Sequence, residues 1–203
     1  MVGTFKAGER IPVDDLAREL GVSSMPVREA LVALASEGLL HVLPRRGFRV
    51  AVINERDVAD VYRVHGFIAG LLIEDATNRI TVATVQSLRS IELETEELGR
   101  LNLTLEEYSA KVESLNFLFH RTINHAAEAS RLRWFLRVAT RYLPHQVYTI
   151  PGWTDITLSD HPGIIRAMEA GNATLARQLM EAHITRGRDL LVANLSKRGF
   201  VSS

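Results

Sequence analysis

Over the first fifty residues the apolar positions recur twice at helical spacing and then change to short β-rich runs. In "VDDLARELGVSS", Leu16 and Leu20 form an i, i+4 pair, which predicts a short helix closed by Gly21, a residue that tolerates a left-handed helix end. In "MPVREALVALASEGLL", Val27, Ala30, Leu31 and Leu34 predict a second helix, with Ser23 or Ser24 as its cap, Pro26 in its first turn and Gly38 as its stop. The runs "LLHVL" and "FRVAVI" flank "PRRG", where Pro and Gly favour a turn, so a hairpin follows. From Asn54 onward the periodicity is almost wholly helical. Helices are expected over about 55–79, 82–99, 105–127, 131–148, 160–170 and 173–195, with Thr104 and Glu107 as a capping box and "PGW" at 151–153 as a break.

This pattern gives a mainly α chain in two domains. Residues 1–53 form a helix-turn-helix with a hairpin wing, and residues 54–203 form an antiparallel all-helical bundle. The 203 residues are enough for a small and a medium domain. There is no cysteine, so a thiolate metal site is excluded and any metal must be held by His, Asp, Glu or Asn. The start "MVGTFKAGER" lacks the apolar core of a signal peptide, and no apolar run reaches the roughly 18 residues of a membrane span. The expectation is a soluble cytoplasmic protein with no membrane partner.

Lys plus Arg equals Asp plus Glu at 24 each, so net charge gives no argument for a polyanionic partner. Its distribution does. Residues 39–53 carry Arg45, Arg46 and Arg49 and no acid, which gives the hairpin a basic tip. A second helix that enters the DNA major groove beside a hairpin that reaches the backbone or minor groove is one physical use of this arrangement. Ser23, Ser24 and Arg28 would then stand at the helix start and Arg45 and Arg46 at the tip, where hydroxyls and helix N-termini suit phosphate and Arg suits guanine edges. A structural or protein-interaction module is the plain alternative.

The bundle raises a different question in "LNFLFHRT". Val112, Leu115, Phe119 and Ile123 form one buried stripe, and Asn116 and His120 lie four residues apart along its edge. His161 in "LSDHPGIIRAMEAGN", expected to open a helix, and His183 in "LARQLMEAHITRG" share such an apolar setting, with Leu175, Leu179 and Ile184 as neighbours of the latter. An i, i+4 pair with single histidines from two other helices is a workable site for a divalent ion, zinc first, with nickel or manganese also compatible. Each histidine taken singly is more often a satisfied core residue than a ligand. His41, His65, His125 and His145 have no such assignment.

The segment "GERIPVDDLARELGVSSMPVREALVALASEGLLHVLPRRGFRV" closely resembles the winged-helix DNA-binding domain of GntR-family bacterial transcription regulators, above all in "LGVS", "PVREAL", "EGLL" and "RRGFRV". The resemblance implies that Ser23, Ser24 and Arg28 contact DNA from the recognition helix and that Arg45, Arg46 and Gly47 form the wing tip. Ser24 stands where many relatives carry a base-reading Arg, and Asp14 near where some carry a basic residue, so sequence preference should differ. Relatives also have a helix before the "GTFKAGERI" turn, which implies that the first helix of this domain is absent here.

"NFLFH" and "DHPGIIRAMEAGNATLARQLMEAHI" are similar to the ligand-binding domain of the FadR-like branch of the same family, the FCD domain. By that resemblance a divalent metal is held by Asn116, His120, His161 and His183. Asn116 replaces a common Asp, which removes an anionic ligand, weakens the metal and favours an anionic effector beside it. Where relatives carry "R-x-x-L-E" on the first bundle helix, this chain has "HGFIAG", with His65 and Ala69 at the Arg and Glu positions. Arg137 and Arg141 suit a carboxylate if they face the pocket. The function implied is a homodimeric, metabolite-responsive regulator, a repressor by family habit, that binds a small organic acid and a two-fold symmetric operator in double-stranded DNA. A metal-dependent enzyme in the bundle and a purely structural dimerisation bundle are the alternatives; no carboxylate is placed convincingly as a general base, so no catalytic residue is assigned.

Overall fold

The computed structural model describes residues 5–143 and 150–197. The chain divides into two compact units, Met1–Asn54 and Glu55–Ser203. In the first, a two-residue strand β1 (Arg10–Ile11) precedes α1 (Val13–Glu19) and α2 (Ser24–Ser36), and the hairpin β2 (Leu40–Leu43) and β3 (Gly47–Val50) follows. β3 is the central strand, antiparallel to both neighbours, with Ile11 opposite Phe48 and Arg49 opposite both Arg10 and His41. β1 lies outside the elements that the periodicity predicts, because two residues are too few to show an alternation.

The strand alternation turns Ile11, Leu40 and Phe48 inward, where they meet Val13, Ala17, Val27 and Leu31 in the core of this unit. Arg10, His41 and Arg49 face outward and are exposed. The buried edge of α1 is Val13 and Ala17, while Leu20 of the expected pair is exposed; both pairs have i, i+4 spacing, so spacing alone does not choose between them. In α2, Val27 and Leu31 are buried as expected, but Ala30 and Leu34 are exposed. α1 and β2 pack against α2, and of its apolar stripe only Val27 and Leu31 enter the buried core of the unit.

The second unit contains α3 (Glu55–Asn78), α4 (Val82–Leu98), α5 (Leu105–Ala126), α6 (Ser130–Thr140), α7 (Trp153–Glu169) and α8 (Ala173–Lys197). α3 runs along α8 and also touches α5 and α6, while α4 packs on α5 and α7 and α7 packs on α8. Leu72, Ile73, Leu88, Phe119, Ile164 and Met168 are fully buried between them, each side chain contributing roughly 1.5 to 3 kcal/mol. α3 passes close to α8 at Gly70, where a Cβ would lie 2.5 Å from Glu181 Oε1 and would have to displace that side chain. Arg177 then ties the two helices, donating to Glu74 at 2.8 Å and to Glu181 at 2.9 Å, with its guanidinium 5.7 Å from the centre of the Phe67 ring.

Thr104 and Glu107 form a capping box at the start of α5: the Thr104 hydroxyl accepts from the Glu107 N–H, and the Glu107 carboxylate accepts from the Thr104 N–H at 2.9 Å. α7 begins about two turns before the expected residue 160. Gly152, at φ +90°, turns the chain into it, and "SDHP" looks like a helix start only because Ser, Asp and Pro favour one. The helix runs through Pro162, which has no N–H to offer the carbonyl one turn back. His161 therefore sits in the third turn of α7 and not at its opening. The expected fourth helix, 131–148, ends early, since α6 stops at Thr140 with Arg141 as its C-cap; residues 144–148 of that expectation, with His145, lie outside the described residues. Among the described residues no helix is long and apolar enough to cross a membrane.

Candidate functional site

Three helices of the second unit bring His120 from α5, His161 from α7 and His183 from α8 together. One nitrogen from each ring lies within 4.8 Å of the others, and His120 Nε2 is 3.3 Å from His183 Nε2. Ligand nitrogens about 2.0 to 2.1 Å from a common ion are roughly 2.8 to 3.4 Å apart at octahedral to tetrahedral angles. That pair is therefore already at the spacing of two ligands of one ion. Asn116 is buried one helical turn before His120, on the same face of α5.

Each ring is held differently. His161 stacks on Phe119, with ring centres 3.7 Å apart and planes within 9°, and its Nε2 is buried with no hydrogen-bond partner. His183 Nδ1 lies 3.1 Å from the Asp160 carboxylate. A carboxylate only accepts, so Nδ1 carries a proton, and Nε2 is the ring nitrogen that faces His120. Arg186 grips Asp160 from the other side through both Nε and Nη2, at 2.9 and 2.5 Å. The chain Arg186, Asp160, His183 fixes a ring orientation by the device common behind metal-bound histidines.

Burial lowers the pKa of His120 and of His161 well below the ordinary histidine value, and the neighbouring His183 lowers both further. Burial pushes Asp160 upward, but its hydrogen bonds from His183 and Arg186 outweigh that and hold it below the ordinary carboxylate value. The site thus presents the His120 and His161 imidazoles neutral at neutral pH, with an ionised carboxylate behind His183. An unpartnered buried imidazole nitrogen costs roughly 1 to 3 kcal/mol, and a borderline divalent cation would satisfy that nitrogen and the lone pairs beside it.

Three residues that spacing did not single out belong to this neighbourhood. Asp160 and Arg186 are the positioning pair just described; the only trace of Asp160 in the sequence is its place beside His161. His65 is partly buried on α3, where the neighbouring Gly66 faces Ile184 of α8, and its Nδ1 is buried without a hydrogen-bond partner. Burial, helped by His183, pushes the His65 pKa down to about 4. Arg137 and Arg141 are exposed, as are His41 and His125.

In the first unit, Ser23 is the N-cap of α2, yet its side chain makes no capping hydrogen bond. Ser23 and Arg28 are exposed and Ser24 is partly buried. The hairpin turn runs Leu43, Pro44, Arg45, Arg46, closed by a 2.9 Å hydrogen bond from Arg46 N–H to Leu43 carbonyl. Its third position needs a positive φ, which Gly or Asn normally supplies. Here Arg45 adopts φ +61° and Gly47, just beyond, +90°. The left-handed backbone of an L residue costs about 1 to 2 kcal/mol, a cost spent at the apex of the basic tip, where Arg45 and Arg46 are exposed.

Comparison with known proteins covers both units. Residues 1–50 match the model of bacterial regulatory proteins of the gntR family, and residues 60–186 match that of the FCD domain. The Nta operon transcriptional regulator of Aminobacter aminovorans is 31% identical over 149 residues, covering 70% of this chain and 71% of that protein. A probable D-xylose utilization operon transcriptional repressor of Paenarthrobacter nicotinovorans is 30% identical over 190 residues, covering 90% and 79%. Among solved structures, E. coli McbR/YncC superposes with a TM-score of 0.69 at 21% identity over 97% of this chain and 91% of that one, a likeness of fold.

The lowered histidines predict an acid-sensitive metal-free protein. Unfolded histidines titrate near 6.5, above the folded values of His65, His120 and His161, so the unfolded state takes up protons first as pH falls. Stability should be complete above about pH 6.5 and decline below it, toward the folded value of about 4 for His65, with a slope of at most about 1.4 kcal/mol per pH unit per histidine. Urea midpoints of chelator-treated protein between about pH 7.5 and 5 check this. A His161→Gln variant should show a shallower decline, and a flat profile in the parent would contradict the reading.

Proposed function

The chain belongs to the GntR family of bacterial regulatory proteins and carries its FCD domain, and from that premise we propose a cytoplasmic, homodimeric repressor whose bundle binds a small organic acid beside a divalent metal ion. The relatives it matches are transcription regulators, and the chain is one too rather than an enzyme. The observation that carries the metal reading is the convergence of His120, His161 and His183, two of whose nitrogens are 3.3 Å apart.

Asn116, His120, His161 and His183 are the ligands, with zinc as the first candidate and nickel or manganese compatible. The ion supplies Lewis-acid charge that attracts an anionic effector. Asp160 and Arg186 keep His183 in the required tautomer and orientation. With a neutral amide in place of a carboxylate, the ligand set leaves the full charge of the ion on the site, which favours a carboxylate ligand.

The N-terminal unit reads DNA with Ser23, Ser24 and Arg28 at the start of α2 and with Arg45, Arg46 and Gly47 at the wing tip. A symmetric dimer requires a two-fold symmetric operator in double-stranded DNA, and the effector acts by favouring one arrangement of the two DNA-binding domains over another. The name of the Paenarthrobacter relative supports repression as the sign of control.

Two substitutions test the two halves. Asp160→Asn keeps the size of the side chain and removes its charge; zinc affinity, measured by competition with a chromophoric chelator, should fall roughly 10- to 100-fold. An affinity within about twofold of the parent would remove the positioning role and, with it, the best support for the metal. Arg45→Gly relieves the positive φ, so the melting temperature should hold or rise, while binding to duplexes enriched from a random-sequence library falls and its salt dependence weakens. Unchanged DNA affinity in that variant would sink the wing contact.

A further inference from the structure

The first unit contains a cleft of about 680 Å³ between the β1 strand with the start of α1 on one side and the hairpin on the other, to which α2 contributes Arg28; its polar lining is Arg10, Asp14, Asp15, Arg28, Arg45 and Arg46. Arg28, Arg45 and Arg46 belong to the DNA-reading set already proposed; Arg10 and Asp14 do not. Resting on that reading, we propose that this cleft seats one sugar–phosphate strand of duplex DNA, with Arg10 as a further phosphate anchor and Asp14 as a built-in repulsive charge that weakens sequence-independent binding.

Four arginines and two aspartates meet here, yet the only ion pair that any of them makes among the described residues is Asp15 with Arg18, at 2.9 Å. Arg10, Arg28, Arg45, Arg46 and Asp14 are all exposed. Nothing in the fold calls for this. Arg10 sits directly opposite Arg49 on β3, and Arg49 in turn opposite His41, so the sheet places basic side chains side by side. Like charges directly opposite each other weaken a strand pair, and Arg10 forms no part of the core beneath it.

Uncompensated guanidinium groups contributed by β1, α2 and the hairpin to one open cleft suit an extended polyanion, which can meet several of them at once. A cleft of this size exceeds what a lone phosphate ion needs. Continuity with Arg28 and the wing tip selects the backbone of the same duplex that α2 would read, because a strand passing from the major groove to the wing must cross between them. Asp14 faces that same space without a cation of its own. Its charge opposes every duplex equally, so it lowers background binding without choosing a sequence.

The experiment uses the full chain and a fluorescein-labelled duplex of random sequence, with anisotropy followed across a potassium chloride series. Arg10→Gln should weaken binding several-fold at low salt and reduce the slope of log affinity on log salt by about one, the share of a single phosphate contact. Asp14→Asn should strengthen binding several-fold. Asp14 is exposed and makes no ion pair among the described residues, so Asp14→Asn should melt with the parent, while Arg10→Gln, which removes a like charge opposite Arg49, should hold or raise the melting temperature.

An Arg10→Gln variant with the parent's affinity and slope would overturn the anchor, and an Asp14→Asn variant with the parent's affinity would overturn the repulsive role. If Arg10→Gln instead abolishes binding of inorganic phosphate while leaving DNA binding intact, the cleft is a small-anion site and the proposal fails. Arg28→Ala separates this proposal from the reading beneath it: loss of binding there without an effect of Arg10→Gln removes only the cleft. Loss in neither removes DNA recognition by this face altogether.

Discussion

Burying imidazoles without letting them become charged is the constraint around which the helical unit is organised. His120, His161 and His183 come from three different helices, and the rings of His120 and His161 must lose water and keep a lone pair without gaining a proton. Burial does the first part, lowering His120 and His161 well below the ordinary value. Phe119 and Asp160 do the rest, one by stacking on His161 and the other by accepting the His183 Nδ1 proton. The packing of α3 against α8 carries His65 into the same region. Four imidazoles in so small an apolar volume make poor core residues, and they make sense as a preformed place for a cation.

The N-terminal unit follows the opposite logic. Its core is a small set that includes Ile11, Val27, Leu31 and Phe48, and its chemistry is on the outside. Arg45 sits at the apex of a turn that Gly would fill more comfortably, and Arg10 sits across from Arg49 where an acid would be better for the sheet. Both departures move stability out of the fold and into a surface that awaits a polyanion. One unit hides its polar groups and the other leaves its charges unpaired, and each arrangement suits the ligand proposed for it.

Much of the architecture was legible from periodicity. Two short helices, a hairpin with a basic tip and a helical remainder follow from spacing, from Gly21 and from the Thr104 and Glu107 pair. What spacing missed has physical reasons. The i, i+4 rule does not choose between Leu16 with Leu20 and Val13 with Ala17, since the choice depends on what packs above them. Local preference read "SDHP" as a beginning, whereas tertiary packing carries α7 through Pro162. The stripe on α5 exposed His120 as unusual, but the Asp160 to His183 contact spans two helices and has no sequence period to betray it.

The most direct test of the metal centre is a zinc-edge anomalous difference map from crystals of protein purified without chelator. The account predicts one peak per chain, about 2.0 to 2.2 Å from a nitrogen of His120, His161 and His183 and from the Asn116 Oδ1. A featureless map in zinc-supplemented crystals, or a peak that these histidines do not touch, would contradict it.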